Sequence, residues 1–201
     1  MLRLIVNPNR TEPPDQPNAA MDEHIWLGRI AQGDQAAFEQ LYKNYYPRLF
    51  RFILRMTRQP ELVEELIQET LMVVWLKPGE FNRQSKLSTW IFGIAYHKAL
   101  KALAKHARRG QDIDVTELCD SLGDSSGNPA QKRENEDWLN RALAILPAEQ
   151  RAVIELTFYH DMAYQEIAKI LDCPENTVKT RMYHARKKLQ DFAETRPSKQ
   201  P

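Results

Sequence analysis

Tyr164-Gln165-Glu166-Ile167-Ala168-Lys169-Ile170-Leu171-Asp172-Cys173-Pro174-Glu175-Asn176-Thr177-Val178-Lys179-Thr180-Arg181-Met182-Tyr183-His184-Ala185-Arg186-Lys187-Lys188-Leu189 is the stretch on which the fold turns. Ile167, Ala168, Leu171, Cys173 and Val178 fall where two helices joined by a short turn need small or apolar residues to cross closely, the pattern of a helix-turn-helix. The turn is Asp172-Cys173-Pro174, with Asp172 where many such turns carry glycine. Aspartate tolerates the left-handed backbone required there because its short polar side chain bonds locally. On the second helix Val178, Met182, Ala185 and Leu189 form one stripe at helical spacing, which should face a core. Asn176, Lys179, Thr180, Tyr183, His184 and Lys187 form another, mixing the amide, hydroxyl, aromatic and cationic groups that bond base edges. Arg181, Arg186 and Lys188 flank it for phosphates. A merely solvated basic face is the competing reading, weakened by the preceding helix and turn.

Moving toward the N-terminus, the charges are segregated. The chain has 201 residues and a net charge of +1, yet residues 82–110 hold seven Lys or Arg and no acid. Residues 111–131 hold five Asp or Glu and no base, and 176–189 again hold five bases and no acid. Two basic blocks therefore flank an acidic connector. That connector contains Gly123, Ser125, Ser126, Gly127, Asn128 and Pro129, and as a flexible linker over 111–133 it spans on the order of 25 Å, separating two independent modules.

Between Met21 and residue 110 apolar residues recur at three and four, predicting one helical module. Gly33 should end its first helix, and Asp34 should cap a second whose inner face carries Phe38, Leu41, Tyr42, Tyr45, Leu49, Phe52, Ile53 and Met56, with a kink at Pro47. Pro60 should open a third and Pro78-Gly79 stop it, and Ser85 or Ser88 should cap a fourth running to about Arg109. A second helical module is expected over 134–195, with helices near 134–145, 148–160, 163–171 and 175–192. Proline-rich residues 1–20 and residues 196–201 read as tails, and Met1 and Met21 both stay open as the natural start. The fold class is thus all-α, two small helical domains.

Within the first basic block Lys98, Lys101, Lys105 and Arg108 share a helix face with Trp90 nearby. Aromatic rings beside cations suit unpaired bases, which stack for about 1 to 3 kcal/mol each. Trp90 is as readily a core residue. Glu61, Glu64, Glu65, Gln68 and Glu69 line the third helix, either as a solvated surface or as a docking face for a partner.

No apolar run approaches the roughly 20 residues of a membrane span, and the N-terminal apolar residues fall short of a signal peptide, so a cytoplasmic protein without membrane insertion is expected. Cys119 and Cys173 form no CxxC pair and the five histidines no ligand spacing, so neither metal nor cofactor is expected. With no Gly-rich phosphate loop, GxSxG or HExxH, no catalytic residues are assigned and the chain is not expected to be an enzyme.

Taken in order, these motifs resemble the sigma-70 family of bacterial transcription initiation factors, in particular its extracytoplasmic-function group, from Met21 to Gln190. Asp34-Gln35-Ala36-Ala37-Phe38-Glu39-Gln40-Leu41-Tyr42, and Glu64-Glu65-Leu66-Ile67-Gln68-Glu69-Thr70 with Val74-Trp75, resemble the region that docks core RNA polymerase. The resemblance implies contact of Glu65, Gln68 and Glu69 with the coiled coil of the β′ subunit, and engagement of the β subunit as well. Phe81, Ser88-Thr89-Trp90-Ile91 and Ile94-Ala95 resemble the segment that opens the −10 promoter element. Asn82, Arg83, Lys86, Ser88 and Trp90 would border a captured base, and Lys98 and Lys101 would hold the backbone. Leu146 to Arg151, Tyr164 to Ala168, and Thr177 to Arg181 with Ala185-Arg186 resemble the region that reads the −35 element, which implies Asn176, Thr177, Lys179, Thr180, Arg181, Tyr183, His184, Arg186 and Lys187 at promoter DNA. Asn176 and His184 depart from the commoner Gly and Arg, and the preferred −35 sequence is expected to shift with them. Asp161-Met162-Ala163 replaces a segment that normally ends in a Ser cap, and Asp161 is the expected substitute. An anti-sigma factor is the further partner implied. Two other readings stay open on the residues alone: a helix-turn-helix regulator acting without polymerase, and a helical interaction protein that does not bind DNA.

Overall fold

Asp34 accepts a hydrogen bond from the Ala37 N–H at 3.1 Å and so caps the helix that follows it, as the sequence leads one to expect. It does so in a computed structural model that describes residues 17–108 and 138–194, with no strand among the described residues. In the first module α1 spans Pro17–Ile30, α2 Gln35–Thr57, α3 Pro60–Leu76 and α4 Leu87–Arg108, with a 3-10 turn at Pro78–Glu80. In the second, α5 covers described residues 138–144, followed by α6 (Ala148–Phe158), α7 (Tyr164–Ile170) and α8 (Glu175–Glu194).

Two local expectations are corrected. α1 begins at Pro17, so a tail ending at residue 20 runs into the first helix. α4 is capped by neither Ser85 nor Ser88: the Trp90 N–H bonds back to the Lys86 carbonyl at 3.3 Å, and the helix starts at Leu87, whose burial in the core fixes the start. Other signals hold. Gly33 takes φ 82° after α1, Pro60 occupies the first turn of α3, and α3 ends just before Pro78.

The α2 stripe predicted from spacing is the heart of the first core, where Leu41, Tyr45, Leu49, Phe52, Ile53 and Met56 have no exposed surface. Against it pack Val63, Ile67, Leu71 and Val74 of α3 and Ile91, Phe92, Ala95 and Ala99 of α4. The enclosed Tyr45 hydroxyl donates to Glu23 Oε1 at 2.7 Å, tying α1 to α2. Trp75 is half-buried with its ring 5.1 Å from that of Phe38. In the second module Ala142, Leu143, Leu146, Ala152, Val153, Leu156, Ile167, Ile170, Val178, Met182, Ala185 and Leu189 close a smaller core.

The modules are not apart. α6 packs on α2 and α7 on α4, so described residues of the two form one body, against the expected independence. The acidic connector, with Cys119, lies outside the described residues, as do residues 1–16 and 195–201.

Candidate nucleic-acid interface

The turn between α7 and α8 has the geometry its sequence implied. Asp172 sits at φ 47°, and the Cys173 N–H returns to the Ala168 carbonyl at 3.0 Å. Pro174 opens α8, its carbonyl accepting from Thr177 N–H at 2.8 Å. α7 starts differently from expectation. Asp161, at φ 49°, does not cap it; Ala163 stands at the cap, and Glu166 Oε2 accepts from the Ala163 N–H at 3.0 Å. Alanine has no side-chain acceptor, so this is half of a capping box.

On α8 the two stripes separate as predicted. Val178, Met182, Ala185 and Leu189 are buried, while Asn176, Lys179, Thr180, Tyr183, His184, Arg186 and Lys187 are exposed. Tyr183 is 64% exposed, a large share for an aromatic ring with no core role. Lys179 has one exposed partner, Glu175 at 2.8 Å, and the Arg186 guanidinium lies 5.7 Å from the Phe158 ring centre. Arg181 departs from the group. It is half-buried, with Nη2 3.4 Å from Glu149 and Nη1 donating to Cys173 Sγ at 3.6 Å, so it braces the turn against α6. Thr177 is half-buried at the start of the helix.

The first module presents its predicted residues around the loop before α4. Asn82 Oδ1 accepts from Gln84 N–H at 3.0 Å, the local bond of an Asx turn, and Arg83 takes φ 60°. Asn82, Arg83 and Lys86 are exposed and Ser88 half-buried. Trp90 resolves into something between its two readings: half-buried, its ring lies 5.6 Å from buried Phe81, which stacks on His24 at 5.8 Å. Along α4, Lys101 is exposed and Lys98 pairs with Glu69 of α3 at 2.7 Å. Glu65, Gln68 and Glu69 are all exposed on α3. The face continues into Met72 and Leu76, 54% and 67% exposed, whose helical phase sets them apart from buried Leu71 and Val74.

A second set went unseen in the sequence. Glu155 of α6 has no exposed surface and receives Arg55 Nη1 of α2 at 3.1 and 3.2 Å. Arg55 also lies 3.9 Å from the Tyr159 ring centre. Burial pushes the Glu155 carboxyl up to about 7 despite Arg55, Arg51 and Arg151. His160 lies 4.5 Å from Phe92 and 6.1 Å from Phe52 between ring centres, and its burial, aided by Arg48, Arg51 and Arg55, brings its pKa down to about 3. The available clue was phase: Arg55 falls beside Phe52 and Met56, and Glu155 between Ile154 and Leu156. Among the described residues no His, Cys, Asp and Glu group could hold a metal, and no helix is long and apolar enough to cross a membrane.

Comparison with known proteins matches residues 41–109 to the model of Sigma-70 region 2 and residues 136–189 to that of Sigma-70, region 4. The chain is 32% identical over 158 residues to the ECF RNA polymerase sigma factor RpoE of Cereibacter sphaeroides, covering 78% of this chain and 86% of the relative. It is 27% identical to the RNA polymerase sigma-H factor of Pseudomonas aeruginosa, over 80% of this chain and 88% of that one. Among solved structures, the sigma factor RpoE of Bartonella quintana in complex with the anti-sigma factor NepR aligns with a TM-score of 0.66 at 27% identity, covering 80% of this chain and 98% of its own. CnrH in complex with the cytosolic domain of CnrY shares the fold at 22% identity and a TM-score of 0.66, over 88% and 99% of the two chains.

Proposed function

The chain belongs to the sigma-70 family, in its extracytoplasmic-function group, and from that premise we propose that it binds core RNA polymerase and directs initiation at a particular set of promoters. The observation that carries this is the division of labour over the surface. α8 offers an exposed polar and basic stripe of the width a major groove admits, and the loop before α4 offers exposed Asn82, Arg83 and Lys86 beside a half-covered Trp90.

In this reading Asn176, Lys179, Thr180, Tyr183, His184 and Lys187 meet the −35 base edges and neighbouring phosphates, with Thr177 and Arg186 at the ends of the stripe. Arg181 positions the turn through Glu149 and Cys173. The −10 element is opened by capture: a base leaves the stack at a cost of a few kcal/mol and is held against Trp90 and Ser88, bordered by Asn82, Arg83 and Lys86. Lys98 and Lys101 hold the strand. Glu65, Gln68 and Glu69, with Met72 and Leu76 beside them, meet the polymerase, where an acidic rim around exposed apolar side chains has the composition of a docking face. The protein supplies binding energy and geometry, and the polymerase supplies the chemistry. An anti-sigma factor is the regulator expected from the relative solved with NepR.

Run-off transcription with purified core RNA polymerase and a genomic promoter library tests the proposal. Promoter-specific transcripts that depend on adding this protein are the expected result. Specific duplex binding by the protein alone, without transcripts, would instead identify a regulator that acts without polymerase.

A further inference from the structure

Along the seam where α6 meets α2, positive charge outnumbers negative. Arg48, Arg51 and Arg55 lie three and four residues apart on one face of α2, and Arg151 of α6 reaches across to the Arg55 and Met56 carbonyls, donating at 3.2 and 2.9 Å. Glu155 is the one fully enclosed acid among the described residues, and Arg55 takes it. Arg151 is likewise spent on backbone carbonyls, those of Leu143 and Leu146 included. Arg48 and Arg51 are different. Among the described residues no carboxylate pairs with either. The Arg48 guanidinium lies 5.0 and 5.4 Å from the ring centres of Tyr45 and Phe92, contacts that place it without neutralising it.

The surface is concave at this point. Pro47, Arg48 and Arg51 face Tyr159, His160 and Asp161 of the turn after α6 across a cavity of about 340 Å³, within the roughly 300 to 1,000 Å³ that small-ligand sites occupy. Burial, aided by Arg48, Arg51 and Arg55, keeps His160 neutral, and its Nε2 is enclosed without a hydrogen-bond partner. An enclosed ring nitrogen of this kind gains from a ligand that supplies the missing bond. Asp161, exposed and held at φ 49°, is the acid of the lining. It repels a second anionic group and accepts from a hydroxyl.

We propose that this recess binds a small phosphate-bearing molecule, its phosphate held by Arg48 and Arg51 and its hydroxyls met by Asp161. The proposal goes beyond the promoter reading and does not depend on it. Guanidinium is the group whose planar fork of donors matches phosphate oxygens two at a time, and two unspent forks stand at one wall. With no ligand the like charges of α2 crowd one another, so an anion that enters relieves repulsion as well as making bonds. A nucleic-acid strand fits less well, because its evenly spaced phosphates would bring a further charge onto Asp161, and a recess suits a small molecule better than a rod.

Calorimetric titration and thermal melting of the full chain at low salt, with inorganic phosphate and with ribose 5-phosphate, test this. Both should bind and raise the melting temperature, and the tighter of the two tells whether the occupant is the free anion or a phosphate ester. The double variant Arg48→Gln, Arg51→Gln should weaken binding about tenfold or more and keep the ligand-free melting temperature close to native, since neither side chain has an ion pair to lose. Asp161→Asn, which suits the left-handed backbone as Asp does, should tighten inorganic phosphate about threefold by removing a like charge. Lys43→Gln, which removes an α2 charge paired with Glu39 instead, should bind as native. No binding of either ligand at millimolar concentration overturns the proposal, and so does undiminished binding by the double variant or an equal loss in Lys43→Gln. A random-sequence duplex that loses affinity in the double variant, while neither small ligand binds, would make the two arginines contacts to a DNA backbone and overturn it too. None of these readouts involves polymerase, so a failed transcription assay would count against the assigned function alone.

Discussion

α8 and the loop before α4 are the two faces proposed to meet DNA, and their side chains are held differently. The α8 stripe stands clear of the rest of the molecule, its lysines and Tyr183 open to solvent apart from the short Lys179–Glu175 pair. Around the other face Lys86 pairs with Glu166 and Lys98 with Glu69, while Lys169 donates to the Gln84 carbonyl. Duplex is a rigid partner that an exposed helix meets as it is.

The sharpest way to break this contrast is at Arg151. Arg151→Leu strips four backbone carbonyls of their donor across the seam and within the second module. Urea unfolding should show a loss of about 3 kcal/mol, with the second module melting before the first.

Next comes the free face. Lys179→Ala and Lys187→Ala should each lower the slope of log affinity against log salt for −35 duplex by about one unit, leaving stability within about 0.5 kcal/mol. An unchanged slope would mean that the stripe is only solvated surface.

The seam also has a pH signature, measurable by urea unfolding from pH 4 to 8. Glu155 titrates near 7 when folded and near its ordinary 4.5 in water, so the folded form holds the proton more tightly and stability rises as pH falls from 7 toward 4.5. Arg55, Arg51 and Arg151 face it and hold the value below what burial alone would give. His160 has the opposite sign: near 3 when folded, with Arg48, Arg51 and Arg55 about it, and 6.5 when free, it lowers stability as pH falls from 6.5 toward 3. The slopes oppose each other between 4.5 and 6.5, so the native protein should be nearly flat there. Glu155→Gln should lose stability on acidification and His160→Phe should gain it.

The smallest effect separates Arg181 from its neighbours. Its tie to an exposed Glu149 predicts that Arg181→Ala costs under about 1 kcal/mol and leaves the salt slope unchanged, in contrast to Lys179.

What the sequence made legible follows from what acts locally. The Asp34 cap, Pro60, the left-handed Asp172 and the α8 stripes are decided within a turn or two of backbone, and all four stand as expected. The seam was illegible for a different reason. Arg55, Arg151 and Glu155 have the composition of surface residues, and only contacts between positions some hundred residues apart make them interior. Charge segregation pointed to both basic surfaces, and it could not say that α7 would pack against the loop before α4.

The account's central claim is that one chain, on polymerase, serves two separate promoter elements. Footprinting a promoter recovered from run-off transcription, with permanganate to mark unpaired thymines, tests it directly. The prediction is two protected patches about 25 base pairs apart, roughly 85 Å of duplex, with reactive thymines in the downstream patch, seen only when protein and core polymerase are both present and lost with Trp90→Ala. A single protected site formed by the protein alone, with no reactive thymines when polymerase is added, would contradict it.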